Sequence, residues 1–214
     1  MAFSLKDFSL EGKTALVTGG SRGIGKAIAL GLASAGANVA VASRKLPDLE
    51  AVAAEIKAMG RKSLAVAAHA GKTPELEALV EQVTTGLGPI DILVNNAATN
   101  PAMESALDAT ERAWDSVMNL NLKGMFFLSQ AVAKRMKDRG GGSIVNIASV
   151  EGITPGPLAV YGISKAGQIH ASKVMAKEWA SYGIRVNAVA PGLTRTGFSE
   201  FLWGNPDILN MATS

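Results

Sequence analysis

Short apolar runs rich in valine, isoleucine and leucine alternate with longer segments of helical periodicity along the chain. Nearly every position within a run is apolar, which is typical of strands buried on both faces of a sheet. Because parallel strands need a crossover connection, the alternation predicts an α/β fold: a doubly wound parallel sheet with helices on both faces. The predicted strands are 14–18, 38–43, 63–68, 90–95, 143–148 and 185–190, and the predicted helices are 24–35, 48–59, 74–85, 110–137 and 158–182.

The composition favours a single folded domain over residues 1–214. A chain of 214 residues, 48% hydrophobic and 18% charged, can bury a sizeable core, which excludes global disorder. No low-complexity linker or internal repeat divides it. The chain has no cysteine, so disulfides, thiolate metal sites and cysteine nucleophiles are excluded, and no other metal-ligand set stands out.

The charge pattern does not favour a nucleic-acid partner. The 21 Lys and Arg residues exceed the 18 Asp and Glu residues only slightly, and they are scattered. We interpret the densest basic group as a solvated helix end; it comprises Lys134, Arg135, Lys137 and Arg139, with Lys123 further away. No apolar run approaches the roughly 18 to 20 residues of a membrane span, and the first residues do not resemble a signal peptide. We therefore expect a cytoplasmic protein with neither a nucleic-acid nor a membrane partner.

A glycine-rich turn, residues 18–25 with the sequence T-G-G-S-R-G-I-G, follows the first strand and opens the first helix. Glycines permit positive φ and let backbone N–H groups approach a phosphate, and the helix N-terminus adds partial positive charge. In doubly wound sheets ligands bind at the carboxyl ends of the strands. The turn therefore predicts a pyrophosphate site, with an ordinary tight turn as the alternative.

The same segment also begins like the phosphate loop of a nucleotide triphosphatase. Gly20 to Lys26 reads G-x-x-x-x-G-K, but the next residue is Ala27. Such a loop needs Ser or Thr there to hold Mg²⁺, so we disfavour phosphoryl transfer.

The end of the second strand indicates which dinucleotide binds. A carboxylate normally binds a free ribose 2′-hydroxyl there, but this chain has Ser43, Arg44 and Lys45. The nearest acids, Asp48 and Glu50, follow Pro47 and are predicted to cap the next helix. Arg44, with Arg22 in the glycine turn as a second clamp, could bind a 2′-phosphate, which predicts NADP(H) rather than NAD(H).

Tyr161 and Lys165 are the candidate catalytic pair. Their spacing of four places the phenol and the ammonium on one helical face. We expect Lys165 to lower the pKa of Tyr161 from its usual value of about 10 toward the neutral range, which suits proton exchange with an alcohol or a carbonyl. Ser149, at the end of the fifth strand, is placed to hydrogen-bond the same substrate oxygen.

With these residues the chain resembles the short-chain dehydrogenase/reductase family over essentially its whole length. The matching motifs are T-G-x-x-x-G-x-G at 18–25, N-N-A at 95–97, N-L-x-G at 121–124, Y-x-x-x-K at 161–165 and P-G at 191–192. The resemblance implies a Rossmann fold and a hydride transfer between NADP(H) and a carbonyl or alcohol, such as a ketone, an aldehyde or a 3-oxoacyl group. A dinucleotide-binding regulator without catalysis is the alternative.

The resemblance also implies roles for individual residues. Tyr161 would be the proton donor, Ser149 would polarise the carbonyl, and Lys165 would bind a ribose hydroxyl and activate Tyr161. Asn121 would be the fourth catalytic member, holding a helix kink and a water near Lys165. The implied cofactor-binding residues are Gly19, Ser21, Arg22, Gly23, Ile24, Gly25, Ser43, Arg44, Lys45, His69, Ala70, Asn96, Ala97, Tyr161, Lys165, Pro191, Gly192, Thr194 and Thr196.

Three features depart from the family pattern. Ala98 stands where the family has a glycine, and His69-Ala70 stands where an Asp usually lies near the adenine. The sequence ends at Ser214, short of the usual family length, so we expect a truncated or incomplete C-terminus without the last edge strand. The second histidine, His170, is interpreted as structural or surface-exposed.

The sequence does not identify the substrate or the oligomeric state. The candidate pocket residues are Glu151, Ile153, Pro155, Leu158, Phe198, Phe201, Leu202 and Trp203. They indicate a small-molecule substrate in an apolar pocket with a mobile lid, although 198–203 fits a packed amphipathic helix equally well. The resemblance implies a homo-oligomer, a dimer or a tetramer, with contacts through 125–133 and the Tyr161 helix.

Overall fold

A computed structural model describes residues 5–100 and 105–204. Within these ranges six parallel strands form one sheet in the order β3-β2-β1-β4-β5-β6. The strands are β1 Thr14–Thr18, β2 Asn38–Ser43, β3 Ser63–Ala67, β4 Ile92–Asn95, β5 Gly142–Ile147 and β6 Ile184–Val189. The chain order reverses between β1 and β4, which is where a doubly wound sheet forms its ligand crevice. The predicted fold class is confirmed, and the strand bounds differ from the prediction by two residues at most.

The helices cover both faces of this sheet. They are α1 Gly23–Ser34, α2 Leu46–Ala58, α3 Thr73–Leu87, α4 Glu111–Val117, α5 Met125–Lys137, α6 Ala159–Trp179 and α7 Glu200–Trp203. One buried cluster joins α1 and α2 to the sheet, and a second joins α3, α5 and α6 to its opposite face. All five β1 residues are buried, as expected of a central strand, whereas β6 lies at an edge and exposes four of its six residues.

The segment predicted as one helix over 110–137 is interrupted. Its middle, Met118–Gly124, is π-helical, with α4 before it and α5 after it. Thr110 caps α4, because its side chain accepts a hydrogen bond from the Ala113 N–H at 3.2 Å. Apolar periodicity continues through the interruption, so the sequence pattern does not reveal it.

The predicted caps of α2 are wrong. This helix begins at Leu46, with Lys45 at the N-cap and Pro47 in the first turn. Proline suits that position because its missing N–H would have no helical partner. Asp48 therefore lies inside the first turn, where its charge complements the helix dipole, and does not cap the helix.

Across 5–100 and 105–204, none of the helices combines the length and the apolarity that crossing a bilayer would require.

Candidate active site

The glycine turn connects β1 to α1 with backbone geometry that only glycine adopts readily. Gly19 and Gly23 have φ values of +64° and +55°. A Cβ on Gly25 would lie 2.2 Å from the Gly19 carbonyl oxygen, so the turn is too tight for a side chain there. The N-cap residue Arg22 makes no side-chain cap hydrogen bond, which leaves the first N–H groups of α1 to a ligand. This geometry fits the pyrophosphate of a dinucleotide.

Asn96 and Thr18 hold the turn in place from β4 and β1. The Asn96 side-chain amide donates to the carbonyls of Thr18 and Gly19, at 3.0 and 3.2 Å. The Thr18 hydroxyl accepts from the N–H groups of Asn96 and Ala97, at 3.1 and 3.2 Å. The Asn96 side chain thus fixes the conformation of the glycine turn through hydrogen bonds to its carbonyl groups.

Basic side chains lie at the end of β2. Ser43 is the last, half-buried residue of that strand, and Arg44 and Lys45 after it are exposed. Arg22 in the glycine turn is also exposed. Within the part of the chain that the structure describes, no ion pair engages any of these three cations. These donors fit an anionic group on the adenosine ribose.

His69 is held by its own turn at the end of β3. Its ring Nδ1 accepts from the Gly71 N–H at 3.1 Å, and its backbone N–H donates to Glu75 Oε2 at 2.7 Å. The carbonyl of the neighbouring Ala70 lies so close to Gly124 that a Cβ there would be 1.9 Å from the oxygen. This segment therefore packs on the π-helical segment.

The segment after β6 returns to the glycine turn. The Val150 N–H donates to the Pro191 carbonyl at 3.1 Å, and the Thr194 hydroxyl donates to the Gly192 carbonyl at 3.2 Å. A Cβ on Gly23 would lie 3.3 Å from Thr196 Cγ2, so Thr196 lies beside the phosphate-binding turn. The sequence motifs at 18–25 and 191–196 are thereby brought together.

Ser149, Tyr161 and Lys165 meet where β5 ends and α6 begins. Ser149 lies two residues beyond β5, and its hydroxyl accepts from the Glu151 N–H at 3.2 Å. Tyr161 lies in the first turn of α6 and is 8% exposed, and Lys165 one turn later is 1% exposed. The Lys165 Nζ lies 5.5 Å from the centroid of the Tyr161 ring.

The pKa values of this pair follow from burial. Burial raises the pKa of Tyr161, a hydrogen bond with the Ser149 side chain opposes that rise, and the charge of Glu151 adds to it. Burial also lowers the pKa of Lys165 to about 7. The expectation that Lys165 lowers the pKa of Tyr161 is therefore wrong for the protein groups alone, because burial is the largest cause of the shift and raises this pKa.

Asn121 lies in the π-helical segment and is completely buried. Its side chain joins two elements: Oδ1 accepts from the Thr99 N–H at 2.9 Å, and Nδ2 donates to the Thr99 carbonyl at 3.0 Å and the Ser164 hydroxyl at 3.1 Å. Its main-chain carbonyl accepts from the Gln168 side chain, and Gln168 in turn accepts from the Lys165 ammonium at 2.9 Å.

Sequence reasoning missed Gln168. It lies three residues after Lys165, so both side chains fall on one face of α6, and it is 1% exposed. A glutamine three residues after the candidate catalytic lysine was the available signal.

The predicted pocket residues differ in exposure. Leu158 is buried, Ile153 is 68% exposed, and the Phe198 ring lies 6.1 Å from the Tyr161 ring. Glu151 Oε2 is buried without a hydrogen-bond partner among the described residues, and burial raises the Glu151 pKa. The side chains of Phe201 and Leu202 lie outside the described residues.

The chain matches the short chain dehydrogenase family over residues 13–205. It belongs to the short-chain dehydrogenase family. This short-chain dehydrogenase is 41% identical to the Oryctolagus cuniculus dehydrogenase/reductase SDR family member 4 over 195 residues, covering 91% of this chain and 75% of the relative. It is 42% identical to 2-dehydro-3-deoxy-D-gluconate 5-dehydrogenase of Escherichia coli (strain K12) over 200 residues, covering 92% and 78%.

Solved structures resemble this short-chain dehydrogenase as well. A Mycobacterium marinum short-chain type dehydrogenase/reductase is 40% identical with a TM-score of 0.89, covering 94% of this chain and 81% of that one. A Burkholderia cenocepacia J2315 short chain dehydrogenase in complex with NADP is 38% identical with a TM-score of 0.83, covering 88% and 77%. A 7α-hydroxysteroid dehydrogenase complexed with NADH is 33% identical with a TM-score of 0.91, covering 96% and 80%.

These relatives confirm the resemblance drawn from the sequence motifs. This short-chain dehydrogenase is an oxidoreductase that transfers a hydride between a nicotinamide dinucleotide and a small molecule carrying a carbonyl or alcohol group. The alternative of a regulator without catalysis is accordingly set aside.

Proposed function

We propose that the chain interconverts a carbonyl and an alcohol with NADP(H), using Tyr161 as the group that exchanges the proton. The observation that carries the proposal is the meeting of Ser149, Tyr161 and Lys165 beside the carboxyl end of β5. The glycine turn and the basic residues after β2 would hold the dinucleotide, which would supply or accept the hydride.

The protein groups divide the remaining work. The Tyr161 hydroxyl donates its proton to the carbonyl oxygen during reduction, and its raised pKa keeps that proton in place at neutral pH. The Ser149 hydroxyl hydrogen-bonds the same oxygen and stabilises the charge that develops on it. Lys165 binds the cofactor ribose and, when protonated, lowers the cost of forming the phenolate. Asn121 holds the π-helical segment against α6.

Replacing Tyr161 by Phe tests the proton exchange. Phenylalanine keeps the ring but has no proton to give, so kcat/KM should fall by about 10²- to 10⁴-fold. The Kd for NADPH, measured by quenching of tryptophan fluorescence, should stay near the wild-type value.

The chain supplies its own control, because Tyr182 is the other of its two tyrosines and is 39% exposed. Tyr182→Phe should retain activity. A Tyr161→Phe enzyme that turns substrate over at the wild-type rate would exclude the proposed mechanism.

We further propose that the enzyme prefers NADP(H) to NAD(H). The support is three exposed cations that form no ion pair among the described residues: Arg44 and Lys45, directly after β2, and Arg22 in the glycine turn. The end of β2 itself carries no carboxylate. The proposed cofactor site comprises these three residues together with Gly19, Ser21, Gly23, Ile24, Gly25, Ser43, His69, Ala70, Asn96, Ala97, Pro191, Gly192, Thr194 and Thr196.

Arg44→Ala tests this preference. A charge-assisted bond to the 2′-phosphate contributes about 1.5 to 3 kcal/mol, so the KM for NADPH should rise about 10- to 100-fold while that for NADH changes little. Lys57→Ala, which removes an exposed cation from the far end of α2, is the control. An unchanged KM for NADPH in Arg44→Ala would refute the assignment.

We also propose that residues 1–214 act as one catalytic domain in a cytoplasmic homo-oligomer, a dimer or a tetramer. Exposed apolar side chains on α5 and α6, Phe127 and Val174, support the oligomer. Cell fractionation tests the cytoplasmic location.

A further inference from the structure

We propose that Gln168 is a positioning residue for Lys165. Its side-chain amide bridges the Lys165 ammonium to the main-chain carbonyl of Asn121 and holds the ammonium beneath Tyr161. This inference rests on the role proposed above for Lys165.

Both ends of the bridge are direct contacts. The Lys165 Nζ donates to Gln168 Oε1 at 2.9 Å, and Gln168 Nε2 donates to the carbonyl of Asn121. All three residues are at most 1% exposed. The Gln168 side chain therefore connects Asn121 to the catalytic lysine by direct hydrogen bonds.

The chemistry of the two ends determines how the amide is oriented. An ammonium only donates hydrogen bonds and a carbonyl only accepts them, so the amide oxygen must face Lys165 and the amide nitrogen must face Asn121. The carbonyl belongs to the π-helical segment and Lys165 belongs to α6, so the amide also ties these two elements together.

The bridge also directs the remaining donor of the ammonium. Of its three N–H bonds, one is directed to the Ile147 carbonyl at 2.7 Å and one to Gln168. Neither contact uses the third N–H bond, and the Tyr161 ring centroid lies 5.5 Å from the same Nζ. Because an amide does not ionise in the range where enzymes work, Gln168 holds the ammonium but does not relay its proton.

Losing Gln168 would leave a buried cation short of one acceptor. A hydrogen bond to a charged group is worth more than one between neutral groups, so the protonated form of Lys165 should become harder to maintain. Two titratable groups face this part of α6: Tyr161, whose ring centroid lies 5.5 Å from the Lys165 Nζ, and Glu151 in the turn Val150–Gly152 that packs on the helix. The titratable or charged residues of the other elements packed on α6 are exposed, namely Glu111, Arg112 and Asp115 on α4, Lys123 in the π-helical segment, Tyr182 in the turn after α6 and Arg185 on β6.

Three variants separate positioning from simple support of the fold. Gln168→Leu keeps the volume but removes both hydrogen bonds. Gln168→Ala opens a polar space between a carbonyl and an ammonium, which is large enough for a water to bridge them. Ser172→Ala removes another buried hydroxyl of α6, which accepts from Asn146 at 2.8 Å and donates to the main-chain carbonyl of Gln168 at 2.7 Å. It leaves the side-chain bridge from Gln168 to Lys165 in place.

The first measurement needs neither cofactor nor turnover. The free energy of unfolding of the full chain, measured by urea denaturation from pH 5 to 9, rises with pH once the folded chain loses the Lys165 proton that the unfolded chain retains. Gln168→Leu should move the onset of that rise to lower pH by about one unit or more. Gln168→Ala should move it less, and Ser172→Ala should lower stability at every pH without moving the onset.

The second measurement is the pH profile of kcat/KM. If the reaction requires protonated Lys165, the alkaline limb of this profile should move to lower pH in Gln168→Leu. In Gln168→Ala it should lie closer to its wild-type position. The inference would be overturned if, in Gln168→Leu, both the pH at which the free energy of unfolding begins to rise and the alkaline limb of kcat/KM coincide with those of the wild type. Activity of Tyr161→Phe would instead overturn the proposed mechanism, so the two failures are distinct.

Discussion

Lys165 is the largest side chain that is completely buried among the described residues. A buried ammonium costs free energy, and the structure offsets that cost with the Ile147 carbonyl and Gln168. The spacing of Tyr161 and Lys165 indicated only that the two side chains could meet. Which of their pKa values would move, and in which direction, depends on burial by the rest of the fold.

The pH dependence of stability should report the Lys165 ammonium. Its folded pKa of about 7 lies below its ordinary value of 10.5, so the unfolded chain binds more protons between these values. The free energy of unfolding should therefore rise with pH in this window, by up to about 1.4 kcal/mol per pH unit. Lys165→Met should remove that slope in urea titrations at pH 7, 8 and 9, and the exposed Lys57→Met should keep it. Equal slopes in both variants and wild type would contradict the assigned pKa.

At the scale of the element, the π-helical segment Met118–Gly124 carries more of the site than its sequence suggested. It places Asn121 against both the chain after β4 and helix α6. It can approach the Ala70 carbonyl only because Gly124 has no side chain. The family resemblance implies a helix kink at the N-L-x-G motif. The packing against Ala70 explains why the last residue of the motif, Gly124, is a glycine.

Gly124→Ala should destabilise the protein. A Cβ there would lie 1.9 Å from the Ala70 oxygen, so the backbone must move, at a cost of about 1 to 3 kcal/mol or more. Gly31→Ala in α1 is a matched control, because a Cβ at Gly31 meets nothing within 4 Å and should stabilise the helix by up to about 1 kcal/mol. Urea denaturation measures both. Equal stabilities would show that the segment adapts without strain.

At the scale of the whole molecule, the sheet separates two layers of helices. The α3, α5 and α6 layer exposes Phe127 and Val174, and β6 at the sheet edge exposes Val189. Apolar side chains on adjacent helices of one layer are typical of a surface that pairs with a second copy.

Replacing Phe127 and Val174 together by Glu should therefore lower the molar mass in solution. Size-exclusion chromatography with light scattering should show a dimer or tetramer for the wild type and a smaller species for the double variant. Met59→Glu, at the end of α2 on the opposite layer and 41% exposed, is the control and should leave the mass unchanged. A wild-type monomer would exclude the proposed oligomer.

The sequence by itself determined the layered fold and the family. Apolar runs follow directly from strands buried on both faces, and the glycines at 19, 23 and 25 follow from a turn without room for side chains. Local pattern and backbone geometry are sufficient for both.

The resemblance implied a helix kink at Asn121, but only the tertiary structure decided its π-helical form and its extent over Met118–Gly124. The tertiary structure alone also decided the raised pKa of Tyr161 and the bridge from Lys165 through Gln168 to Asn121. Asn121 and Gln168 are 47 residues apart, and periodicity contains no information about which carbonyl a buried amide will meet. Desolvation likewise depends on every element packed around a group, so its effect on acidity emerges only when the chain is folded.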